Sequence, residues 1–88
     1  MLGSRLSGGQ RQIIALLRII MNPKPIILLD EPTSSLDIKI KKILHKMIKY
    51  MKEQGSSIII ISHDKDIIDM SDRIVTLQKG IIIDDNLR

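Results

Sequence analysis

Two unbroken aliphatic tetrads, Ile26-Ile27-Leu28-Leu29 and Ile58-Ile59-Ile60-Ile61, constrain this 88-residue chain more than any other feature. A strand with one wet face alternates apolar and polar residues. Runs this short, continuous and rich in isoleucine therefore read as strands covered on both faces. Between them Ile40, Ile43, Leu44, Met47, Ile48 and Met51 recur at helical spacing, one apolar stripe of an amphipathic helix over residues 38–54. Asp37 is placed to cap its start and Gly55 to stop it. Strand, helix, strand predicts a βαβ unit with a right-handed crossover and parallel strands.

The flanks are shorter elements. A glycine turn, Ser7-Gly8-Gly9, opens an apolar run over residues 10–21 with little polar face, which predicts a mostly buried helix stopped by Asn22-Pro23. After the second tetrad a short helix is expected over 65–70. Strands over 73–77 and 81–83 then flank Gln78-Lys79-Gly80, a hairpin in which glycine supplies the positive φ. The fold class is α/β, a parallel βαβ core with a C-terminal hairpin.

Composition excludes several functions. Hydrophobic residues at 43% and charged residues at 27% describe a soluble globular chain, and no apolar run approaches the about 20 residues of a spanning helix. The first residues contain no stretch suited to a secretion signal. No cysteine is present, so disulfides and thiolate metal sites are excluded, which fits a reducing compartment. The net charge of +4 is local: Lys39, Lys41, Lys42, Lys46, Lys49 and Lys52 crowd one helix, and acids outnumber bases elsewhere. Tyr50 is the only aromatic residue, so no stacking platform for bases exists and no nucleic acid is expected as a partner.

Polar residues gather just past both tetrads, at the edge where open α/β sheets bind ligands. Asp30 and Glu31 follow the first. An aspartate there can hold Mg²⁺ through water, and the glutamate can orient or deprotonate a water, although the pair also fits a plain polar loop. His63 ends the second and can reach a phosphate oxygen or serve as a structural hydrogen-bonder. Leu6-Ser7-Gly8-Gly9-Gln10 can seat a phosphate on the open amides of a helix start, or be an ordinary turn with Ser7 as cap. His45, on the lysine-rich helix, is given no role.

Taken in order, Leu6-Ser7-Gly8-Gly9-Gln10, Arg11-Gln12, Pro25 through Asp37 and Ile61-Ser62-His63 resemble the ATP-binding cassette (ABC) ATPase family. They match its signature motif, Walker B strand with glutamate, D-loop and switch histidine, and the likeness runs from about Gly3 to Asp84. The resemblance implies a P-loop NTPase-type α/β fold and Mg²⁺-dependent ATP hydrolysis coupled to transmembrane transport. Asp30 would hold Mg²⁺ through water, Glu31 would polarise the attacking water, and His63 would contact the γ-phosphate. Ser7, Gly8, Gly9 and Gln10 would grip ATP held by the opposite subunit of a head-to-tail dimer. Ser34, Ser35, Leu36 and Asp37 would carry signals across that dimer. A transmembrane domain would be the other partner, at the cytoplasmic face of a membrane.

No G-x-x-x-x-G-K-[ST] loop occurs: Gly3 and Gly8 have the right gap, but Gly9-Gln10 follow. Walker A is therefore lacking, as are the adenine-stacking aromatic and the glutamine-bearing loop. The resemblance thus implies the C-terminal portion of the domain: a signature helix over 1–22, a βαβ core over 26–63, and a short helix and hairpin over 64–88. Such a piece is expected to be stable only beside the rest of its cassette, or to be a truncated reading frame, with little ATP binding alone. Smaller departures are Ile13, where the family commonly has a base, the large neighbours of Arg18, and Ser35 in place of alanine. Two alternatives remain: a non-catalytic half-site supplying the signature in trans, and a soluble ABC ATPase acting on ribosomes or DNA. Gly3-Ser4-Arg5 resembles exporters and Pro32 resembles importers, so direction is open.

Overall fold

The computed structural model describes residues 8–87. Helix α1 (Gly8–Met21) leads to β1 (Ile26–Asp30), α2 (Ile38–Glu53), β2 (Ser57–Ile61) and α3 (Lys65–Met70). Strands β3 (Arg73–Gln78) and β4 (Ile81–Leu87) end the chain. β1 and β2 pair in parallel, Ile26 opposite Ser57 and Asp30 opposite Ile61, with α2 as the crossover. The α/β class and the parallel βαβ core are as the tetrads and the helical stripe predict.

Among the described residues, one core joins α1, β1, α2 and α3, with Ile58 and Ile60 of β2 packed against it. Leu16 of α1, Ile27 and Leu29 of β1, Leu44, Ile48 and Met51 of α2, and Ile67 of α3 form a single buried cluster. Asp37 caps α2 as expected, its Oδ1 accepting from the Ile40 amide at 2.9 Å, and Gly55 follows the helix with φ +101°.

Two expectations about burial change. The strands are covered on one face only: Ile27 and Leu29 are buried, whereas Ile26 and Leu28 are each 66% exposed, beside Ile59 at 57% and Ile61 at 51%. Leu16 and the α2 core side chains join Ile27 and Leu29 in that cluster, and among the described residues nothing covers the opposite side. Helix α1 is likewise buried along a narrow line, at Gly9 and Leu16, with Ile14, Leu17 and Met21 exposed.

α1 also starts two residues earlier than predicted, so both glycines lie in its first turn rather than in a preceding loop. Packing accounts for this. A Cβ built on Gly9 would stand 2.8 Å from Ile40 Cγ2, so only glycine lets α1 approach α2 this closely. Gly8 has open space around it. Gly9→Ala is expected to lower stability by ~1–3 kcal/mol through overpacking, and Gly8→Ala to leave it level or raised by a few tenths. Urea denaturation of both variants reads the difference.

The hairpin turns on Lys79 (φ +51°) and Gly80 (φ +77°), the two positive φ values of a type I′ turn. β4 continues past the expected residue 83 through Asp84-Asp85-Asn86. A bulge at Thr76/Leu77 shifts its register, and Arg73 donates twice to the Asp85 carboxylate, at 2.9 and 2.6 Å.

Candidate functional site

The parallel register brings the C-terminal ends of β1 and β2 side by side. The ladder runs one residue further, the Glu31 amide donating to Ile61 O at 2.7 Å. Glu31 then adopts φ +48°, a left-handed conformation that costs a non-glycine residue ~1–2 kcal/mol and that concentrates at functional sites. Its Oε1 lies 2.9 Å from His63 Nδ1. An ionised carboxylate only accepts, so Nδ1 carries the hydrogen. The His63 side chain is 95% exposed, and Asp30 is exposed at the same edge. An open cleft of about 330 Å³ is lined by Glu31, Thr33, Ser34, Ser35, Lys41, His63 and Asp64.

The other candidate residues lie elsewhere or serve structure first. Ser7 is outside the described residues. Gly8 and Gln10 are exposed at the start of α1, Gly9 is buried against Ile40, and none of the three lines the cleft. The structure thus brings Glu31 and His63 into contact, places Asp30 at the same strand edge but outside the cleft lining, and leaves the glycine pair apart. Gln12 ties the two regions, its Nε2 donating to Pro32 O at 3.0 Å. In the loop after β1, Ser34 and Ser35 face out, Ser35 with φ +62°. Leu36 packs against the core, and the Asp37 carboxylate is spent on the α2 cap.

Sequence reading passed over the most connected group at the site. Asp64 Oδ2 accepts from Thr33 Oγ1 at 2.7 Å and from His45 Nε2 at 3.0 Å, while Oδ1 accepts from the Asp66 amide at 2.9 Å. Only the cap could have been read from the chain, as an aspartate before a short helix. The other two partners are 31 and 19 residues away. His45, Asp64 and Asp66 are close enough to share a cation, yet both Asp64 oxygens already have donors, so this is a hydrogen-bond hub. Lys41, one of the six lysines crowded on α2, borders the cleft.

Burial pushes the Asp64 carboxyl up, but the hydrogen bonds from Thr33, His45 and the Asp66 amide outweigh it and hold its pKa down at about 2, from 3.8. A folded pKa below the unfolded one stabilises fully above the unfolded value and is lost as pH falls through the folded value. Stability on the order of 2 kcal/mol should therefore disappear between about pH 4 and pH 2. Urea midpoints measured across that window should fall more steeply for the wild type than for Asp64→Asn.

Comparison with known proteins bears on what this edge does. Residues 1–34 match the family model described as ABC transporter. Over 82 residues the chain is 42% identical to the macrolide export ATP-binding/permease protein MacB of Agrobacterium fabrum, covering 93% of this chain and 13% of that protein. It is 44% identical over 84 residues to the spermidine/putrescine import ATP-binding protein PotA of Haemophilus influenzae, covering 93% and 23%. A solved dimer of the ATP-binding cassette MJ0796, in a post-hydrolysis state bound to ADP and Pi, superposes with a TM-score of 0.82 at 33% identity, over 96% of this chain and 37% of that one. The α/β fold resembles the ABC ATPase cassette, and the sequence matches are to ABC transporter proteins. The chain spans a minor part of each of these relatives, one named for export and one for import.

Proposed function

We propose that the chain is the C-terminal portion of an ABC-type nucleotide-binding domain, its residues 1–22, 26–63 and 64–88 being the signature helix, the βαβ core and the helix–hairpin end. In this reading it binds and hydrolyses ATP to drive transport across a membrane. The observation that carries the reading is the Glu31–His63 contact beside Asp30, at the edge where parallel sheets take ligands. Asp30 fits Mg²⁺ held through water, an exposed carboxylate being a group that accepts from the water this ion keeps when it is shared with phosphates. Bound there, Mg²⁺ supplies charge neutralisation of the phosphates. Glu31 polarises the attacking water, whose oxygen bonds to the γ-phosphorus as the bond to the β–γ bridging oxygen breaks and ADP leaves. His63 contacts the γ-phosphate.

Ser7, Gly8, Gly9 and Gln10 serve the nucleotide of a second cassette in a head-to-tail dimer, and Ser34, Ser35, Leu36 and Asp37 carry signals across that dimer. The position of Gly8, Gly9 and Gln10 outside the cleft, which Ser34 and Ser35 border, supports this division of labour. A transmembrane transporter domain is the remaining partner, and the location is the cytoplasmic face of a membrane. The sequence contains no G-x-x-x-x-G-K-[ST] loop, so the site needs a segment that does. Joining the chain to the part of cassette MJ0796 that it does not match gives a completed cassette. Mg²⁺-ATP hydrolysis is expected from that cassette and not from the chain alone. Hydrolysis by the lone chain, abolished by Glu31→Gln, would contradict the need for completion, and no hydrolysis from the completed cassette would sink the ATPase reading.

A further inference from the structure

Asp64 follows His63 directly, and Thr33 stands two residues after Glu31. The Thr33 Oγ1–Asp64 Oδ2 bond of 2.7 Å is thus a second link between the loops that end β1 and β2, beneath the Glu31–His63 contact. The two links differ in setting. Thr33 is 2% exposed and the Asp64 side chain 11%, whereas the His63 ring stands in water, where a paired charge contributes little. The Asp64 amide also donates to Ser62 Oγ at 2.9 Å, which fixes the path of the chain through His63. His45 anchors the same carboxylate to α2, the helix that supplies three of the buried core residues.

From this geometry we infer that Asp64 is a positioning residue, one carboxylate that locks the loops carrying Glu31 and His63 in a single register. The inference rests on the ATPase reading for its catalytic consequence, but the mechanical link stands on the hydrogen bonds alone. A carboxylate that served only as the α3 cap would need the Asp66 amide and nothing from Thr33.

Two measurements separate these roles. In amide hydrogen exchange on the full chain, Thr33→Val is expected to speed exchange at Ser34 and Asp64 by about tenfold while Leu44 and Ile48 in α2 keep their rates, and Thr33→Ser is expected to restore the wild-type values. Equal rates in Thr33→Val and Thr33→Ser, or change confined to Asp66 and Ile68 in Asp64→Asn, would overturn the link. In the completed cassette, Thr33→Val should lower kcat by about tenfold with KM for ATP changed by less than about twofold, and Thr33→Ser should recover kcat. An unchanged kcat overturns the catalytic consequence. A wild-type completed cassette that hydrolyses no ATP refutes the ATPase reading instead, and the exchange rates still decide whether Asp64 joins the loops.

Discussion

Glu31→Gln in the completed cassette is expected to lower the steady-state ATPase rate by ~10²-fold or more while Mg²⁺-ATP binding stays within about threefold. Glutamine keeps the length of the side chain and its capacity to accept from His63 Nδ1, so the 2.9 Å contact survives. What it loses is the negative charge that makes a bound water nucleophilic. Because the left-handed turn at Glu31 is set by the Glu31 amide bond to Ile61 O and by the Ser34 amide bond to Glu31 O, the backbone has no reason to move. A kcat effect without a binding effect marks a group that acts in the transition state. Equal loss of both would place Glu31 in nucleotide binding.

Leu44→Ala is expected to cost ~2–5 kcal/mol, enough to unfold the chain. Leu44 is fully buried, in a cluster with six other buried apolar side chains among the described residues. A chain of this size has a shallow stability reserve, because small domains bury a smaller share of their surface. Ile43, its neighbour in sequence, is 43% exposed, and Ile43→Ala should cost well under half as much. Far-ultraviolet circular dichroism across a urea titration compares the two. Similar losses would mean that the apolar stripe of α2 faces a different way.

What could be read from the sequence follows from periodicity. The helical stripe from Ile40 to Met51 is a local repeat that packing must honour, and the tetrads leave few conformations other than short strands. The parallel pairing, the adjacency of residues 30–31 with 63 and the Asp37 cap follow from those elements. Coverage of Ile26, Leu28, Ile59 and Ile61 does not, since it depends on what else packs there. The Asp64 hub was out of reach for a different reason. Its donors come from a loop and a helix distant in sequence, and no repeat signals a hydrogen bond between them. At Gly8-Gly9 the preference of glycine for turns misled, because close approach to Ile40 outweighs it.

The central claim is that the nucleotide lies at the C-terminal edge of β1 and β2. Mn²⁺ in place of Mg²⁺, added with ATP to isotopically labelled completed cassette, tests it directly, since paramagnetic broadening falls steeply with distance. The strands are five residues long, so their far ends lie ~13 Å away at about 3.3 Å per residue. Broadening is expected to be strongest at the amides of Asp30, Glu31 and His63 and to fade toward Ile26 and Ser57. Broadening equal at both ends of the strands, or centred on Lys42, Lys46 and Lys49 of α2, would contradict the claim.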